Sequence, residues 1–197
     1  MAVSDTSIQR CPPAWPKDAL RITFGVIWGI DAVLKWLPGF RSGYLDAIKS
    51  AGDGQAAWMH PWFRFWYDLQ SPHAYVWAYV VAVIETLIAL ALIVGFARKL
   101  TYLAGAVFSL LIWGVAESFG GPYTSGAADI GTAIIYAVVF AFLLIVNYYA
   151  GPARYSVDYY LEQRYSWWWK LAEMRRPTSV EPAAAPMVAV SSYQRSA

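Results

Sequence analysis

Four stretches of this sequence, 18–37, 75–97, 100–118 and 127–149, each hold about 20 mainly apolar residues, and that repeated length constrains the fold more than any other feature. At a rise of about 1.5 Å per residue such a run covers the roughly 30 Å of hydrocarbon in a bilayer. Lipid offers no partner to an unpaired backbone amide, so each run has to be a helix. With 58% hydrophobic and only 14% charged residues among 197, the chain is too apolar for a soluble domain. The expected fold class is all-α: an integral membrane four-helix bundle with interfacial amphipathic segments.

The connections give that bundle an order and a direction. Phe96, Ala97, Arg98 and Lys99 form so short a link that the second and third helices must be antiparallel neighbours. Gly120, Gly121, Pro122 and Gly126 mark a turn between the third and fourth. Lys and Arg gather before the first span (Arg10, Lys17), between the second and third (Arg98, Lys99) and after the fourth (Arg154, Arg164, Lys170, Arg175, Arg176). The positive-inside rule then puts both termini in the cytoplasm, as an even number of spans requires, with the chain integral to the plasma membrane and crossing it several times. No basic and apolar leader with a cleavage site precedes the first span, so that span is expected to persist in the mature protein.

The remaining segments read as membrane-surface or terminal elements. Residues 1–17 form a cytoplasmic lead and 18–150 the membrane domain. Within it, 40–74 is too polar to span but carries Trp58, Trp62, Phe63, Phe65, Trp66 and Tyr67, which suits a short helix lying in the outer interface. Residues 151–176, with Tyr159, Tyr160, Trp167, Trp168 and Trp169 among charges, read as an inner interfacial segment. The tail 177–197, rich in Ala, Pro and Ser, reads as disordered.

Charged residues inside the spans are the functional clue, because each costs about 2.5–3.5 kcal/mol at a helix centre. Arg21, Gly25, Trp28, Asp31, Ala32 and Lys35 share one face of the first helix, and Asp31 and Lys35 stand at i and i+4, where they can pair. Gly25 and Gly29 make a small-residue step that lets another helix approach closely. In the second helix Ala78, Ala82, Glu85 and Ala89 share a stripe, placing Glu85 about 15 Å from the outer end, near mid-bilayer. Asp129, Ala133, Tyr136 and Phe140 line one face of the fourth, and Glu117 ends the third. Asp31, Lys35 and Glu85 are the candidate catalytic residues. Trp62, Arg64, Trp66, Glu117, Tyr123, Asp129 and Tyr136 are the candidate binding residues, gathered towards the outer half, with the aromatic 58–67 segment as a cover. Bland readings stand beside these: Asp31 with Lys35 as a self-neutralising structural pair, Glu117 and Asp129 as solvated groups bordering a polar loop, with Asp129 equally able to cap the fourth helix, and the Trp and Tyr clusters as anchors.

Several chemistries are not expected. Cys11 is the only cysteine, which removes an internal disulfide or a cysteine-based cluster. His60 and His73 are the only histidines and neither lies in a span, so neither haem nor another metal site is expected. No nucleotide-binding glycine motif or nucleophile motif occurs in suitable context, and a net charge of +2 gives no sign of a nucleic-acid partner.

On three groups of residues the chain resembles the DoxX/DoxD family of small four-helix membrane proteins. The first runs from Arg21, Ile22, Thr23, Phe24 and Gly25 to Asp31, Lys35 and Trp36. The second is Glu85 and Thr86 followed by Gly95, Phe96, Ala97 and Arg98. The third is Glu117 to Tyr123 with Asp129, Ile130 and Gly131. The resemblance covers roughly 18–150, and its last part is closest to the DoxD branch, whose name-giving member is a membrane subunit of thiosulfate:quinone oxidoreductase working beside a DoxA subunit. It implies a quinone-linked oxidoreductase subunit, with thiosulfate or another small sulfur compound as donor, quinone as cofactor, and a membrane or peripheral partner subunit or a homo-oligomer. No DoxA portion is recognisable, and no catalytic residue is carried over. Two other classes remain open: a non-catalytic accessory or assembly subunit of a larger membrane complex, and a small transporter.

Overall fold

The computed structural model describes residues 15–125, 127, 129–149 and 154–175. The lead containing Cys11 and the tail 177–197 lie outside them. The described residues form eight α-helices joined by turns and three short 3₁₀ segments, with no strand among them: α1 (Trp15–Lys35), α2 (Pro38–Ser50), α3 (His60–Gln70), α4 (Ala74–Val94), α5 (Arg98–Val115), α6 (Thr132–Tyr149), α7 (Val157–Arg164) and α8 (Trp169–Ala172). Among the described residues three helices are long and apolar enough to cross a membrane, namely α4 at the end of the helical stretch Ala57–Val94, α5 and α6. The fourth expected span corresponds to α1, which is 21 residues long but carries Lys17, Asp18, Arg21, Asp31 and Lys35.

Local chemistry sets where these helices stop. α1 has Asp18 in its first turn and Lys35 in its last, each sign matched to the helix dipole. Pro38 then stands at the start of α2, a position that tolerates a missing N–H. α4 ends on Gly95, whose left-handed φ of 70° lets its N–H reach the Ala91 carbonyl at 2.9 Å.

The long helices pack mainly as two pairs, α1 on α4 and α5 on α6, with fewer contacts between α4 and α5. Each pair closes at a glycine. A methyl group on Gly25 would stand 2.9 Å from Leu92 Cβ and 3.0 Å from the Ile93 backbone nitrogen, and one on Gly105 would collide with the Phe140 ring. The pairs share a core of Phe24, Trp28, Ile88, Leu92, Tyr102, Phe140 and Leu143, in which Phe24 and Phe140 meet edge to face at 4.9 Å. The outer faces stay apolar: Val26, Ile30 and Val33 on α1, Leu87 and Leu90 on α4, Leu103 and Val107 on α5, and Phe142 and Ile145 on α6 are exposed. So continuous an apolar surface suits contact with lipid rather than water.

The two surface segments pack more closely than their polarity suggests. The single helix expected in 40–74 is instead two, α2 and α3, folded over the end of the bundle where α5 finishes. Ser118 Oγ donates to the Ala51 carbonyl at 2.6 Å, Gln55 Nε2 to the Ser118 carbonyl at 3.2 Å and Trp62 Nε1 to the Gly114 carbonyl at 2.8 Å. At the opposite end, α7 and α8 are held by buried charge instead of merely lying along an interface. Asp158 is fully buried and accepts from Ala97 N (2.7 Å), Arg98 N (2.9 Å), Arg98 Nε (3.0 Å) and Trp168 Nε1 (2.9 Å). It thereby satisfies the free amides at the start of α5 and anchors Ala97, a non-glycine residue at φ 44°.

Candidate functional site

Where α2, α3, α4 and α5 meet, the seam between the helix pairs opens into a cavity of about 300 Å³. Its walls are mainly apolar: Phe40, Ile48, Trp66, Trp77, Phe108 and Val115 face it, with Lys35, Glu85, Gln70, Tyr44 and Glu117 as its polar members. Size and lining match those of sites that hold small organic ligands, which bury most of their surface against apolar walls and take their orientation from a few polar groups.

Lys35 and Glu85 sit together in this lining, with Lys35 Nζ 3.9 Å from Glu85 Oε2. Glu85 is buried and its Oε2 accepts no hydrogen bond from the described residues, while the side chain of Lys35 is 26% exposed and its ammonium lies 5.2 Å from the centre of the Phe40 ring. The pairing expected from i, i+4 spacing is thus replaced. Among the described residues Lys35 pairs across to α4, and Asp31 accepts a 3.0 Å hydrogen bond from the Tyr136 hydroxyl on α6. Asp31 and Lys35 are both half-buried and stand one turn apart along α1, and each meets the partner offered at its own level of the bundle, Tyr136 on α6 and Glu85 on α4.

The other expected site residues separate into three groups. Trp66 and Glu117 line the cavity. Glu117 also has a structural task, because its Oε2 accepts from Ala133 N at 2.9 Å in the first turn of α6; the cap expected from Asp129 is therefore supplied by Glu117. Asp129 instead closes a local turn with Gly131 N at 2.8 Å. Trp62 meets Trp66 edge to face with ring centres 5.7 Å apart and stands outside the lining. Arg64 and Tyr123 are exposed and outside the lining, and the Tyr123 hydroxyl is spent on the Phe119 carbonyl at 2.5 Å.

Tyr44 and Gln70 belong to the site and are missed from sequence alone. Both are buried, and the Tyr44 hydroxyl donates to Gln70 Oε1. Burial pushes that hydroxyl up to about 12, so it stays a neutral donor. The only sequence signal was their occurrence in helices that flank the aromatic segment, and polar residues in a polar stretch carry no mark of burial.

Arg21 shares the buried face of α1 but does not line the cavity. It lies at the opposite end of α1, donating to the carbonyls of Leu92, Ile93 (2.9 Å) and Tyr155 (2.6 Å). The Leu92 and Ile93 carbonyls belong to the last turn of α4, where a cation is favoured. Arg21 therefore locks the α7 end of the bundle and leaves the cavity to Lys35 and Glu85.

No protein-family model, curated protein or solved structure matches this chain. The functional reading accordingly rests on its own residues. No cluster of three or more His, Cys, Asp or Glu side chains placed to hold a metal occurs among the described residues.

Proposed function

We propose that this chain is a four-span protein of the plasma membrane, with both termini cytoplasmic, and the membrane subunit of a quinone-linked oxidoreductase of the DoxX/DoxD type. The observation that carries the reading is the largely apolar cavity of about 300 Å³ with Lys35 and Glu85 together in its wall. α1 counts as the fourth span because its charges have protein partners: Asp18 and Arg21 are buried, and Asp31 and Lys35 face α6 and α4. The distribution of Lys and Arg supplies the orientation.

The lining suits a quinone head group. Trp66, Trp77 and Phe108 offer flat apolar walls, and Lys35 offers a cation to a ring oxygen. A bound quinone would supply two-electron, two-proton acceptor chemistry that no side chain here supplies. Lys35 orients the oxygen, Glu85 holds or releases a proton beside it, and the aromatic walls exclude water. The donor is thiosulfate or another small sulfur compound, delivered through a partner subunit. The test is quinone binding and donor-dependent quinone reduction by the native complex in nanodiscs. Loss of both on Glu85→Leu and Lys35→Met, with the complex still assembled, is expected; no quinone binding by the unaltered protein rejects the proposal.

One set of contacts favours a second reading, that of a non-catalytic assembly subunit. Three of the four carboxylates first assigned to chemistry or binding are engaged structurally, Glu117 by the start of α6, Asp31 by Tyr136 and Asp129 by Gly131 N. Full activity of the parent complex after both cavity substitutions selects that reading.

A further inference from the structure

The Lys35 to Glu85 separation specifies more than a general affinity for rings. A hydrogen bond between nitrogen and oxygen spans about 2.7–3.2 Å, so at 3.9 Å the two charges attract without bonding. Glu85 Oε2 accepts from no described residue. Lys35 has three N–H donors to place, yet its contacts among the described residues are this ion pair and the Phe40 ring. An acceptor and a donor, both part of the cavity lining, are thus each left short of a partner, which is costly in an apolar setting.

The gap discriminates among ligand groups. One oxygen can sit about 2.8 Å from both atoms when they are 3.9 Å apart. A hydroxyl there donates to the Glu85 carboxylate and accepts from the Lys35 ammonium. A carbonyl can serve Lys35 but points lone pairs at Glu85; a carboxylate is repelled by Glu85 and an amine by Lys35. The facing walls of Trp66, Trp77 and Phe108 ask that the hydroxyl be carried on a flat apolar ring. We propose that the Lys35–Glu85 gap receives a ring-borne hydroxyl, so that the cavity holds the reduced, hydroxyl-bearing form of a lipophilic aromatic ligand in preference to its carbonyl form. This rests on the quinone-site reading and adds to it which form is held.

The shared chemistry, a hydroxyl on a ring, is found in hydroquinones and in simple phenols. The experiment measures binding of four probes with the same decyl tail to the full chain in nanodiscs by anaerobic calorimetry: a benzohydroquinone, its dimethyl ether, the benzoquinone and a monophenol. The hydroquinone is expected to bind at least about tenfold more tightly than the ether or the quinone, the scale of one charge-assisted hydrogen bond. Lys35→Met should flatten that difference. A monophenol as tight as the hydroquinone supports the bridge with phenols as ligands, and a weaker one supports it with reduced quinones. Equal affinity for hydroquinone, ether and quinone overturns the inference and leaves the quinone site standing. Absence of binding by all four overturns both.

Discussion

Replacing Glu173 by glutamine should stabilise the protein above neutral pH and leave it unchanged below about pH 4. Glu173 is buried where α8 ends, bonded at 2.5 Å to Arg98, whose guanidinium is also bonded by Asp158 at 3.0 Å and approached by Glu162 at 3.5 Å. With the Asp18 and Arg21 pair and Lys17 alongside, this end of the bundle gathers four carboxylates around three cations. Burial dominates for Glu173 and lifts it to about 7 against the pull of Arg98; Glu162 raises it further and Lys17 opposes. Because the folded protein binds this proton more tightly than the unfolded chain, stability is greatest below about 4.5, falls as pH rises to about 7 and then levels off. The ionised folded state is thereby weakened by about 3 kcal/mol, at about 1.4 kcal/mol per tenfold. Glutamine carries no charge to desolvate and keeps an oxygen for Arg98. Glu173→Gln should therefore gain up to about 3 kcal/mol at pH 8 and nothing below about pH 4, read by unfolding of both proteins in mixed micelles across that range, with tryptophan fluorescence as the signal. A loss of stability at pH 8, or a gain that grows as pH falls, would refute the reasoning.

Asp158→Ala removes the acceptor of four hydrogen bonds, leaving the Ala97 and Arg98 amides and the Arg98 Nε–H without it, at a cost of about 3–5 kcal/mol; the yield of folded protein on size exclusion and its thermal midpoint should both fall sharply. Gly25→Ala forces a methyl group against Leu92 and the backbone of Ile93 and should cost about 1–3 kcal/mol. Gly29→Ala meets only Ala89 Cβ at 3.9 Å and should leave the thermal midpoint within error. Glu117→Ala frees the Ala133 amide, costing about 1 kcal/mol, and should speed hydrogen exchange in the first turn of α6; Asp129→Ala should leave that turn protected.

Much of the helical frame was legible because it follows from local pattern. The face bearing Arg21, Gly25, Trp28 and Ala32 is the buried face of α1, and the stripe of Ala78, Ala82, Glu85 and Ala89 is the buried stripe of α4, since a 3.6-residue period fixes which residues share a side. Asp31 with Lys35 shows where such reasoning ends. Spacing allowed the pair, but the helices flanking α1 offered Glu85 to one residue and Tyr136 to the other. The C-terminal segment hid its ion pairs for a related reason: Asp158, Glu162 and Glu173 look like the solvated charges of a surface helix until Arg98, 60 or more residues away, is seen to collect all three.

The sequence by itself determined where the long helices lie, which sides they bury and that a carboxyl must sit deep in α4, because length, periodicity and the cost of charge in an apolar medium act within one segment. Only the tertiary structure decided that Glu85 meets Lys35, that Tyr44 and Gln70 join them around a cavity, and that Glu117 caps α6. Those outcomes depend on how far each helix is rotated and where the pairs part, and such relations belong to no single stretch of chain.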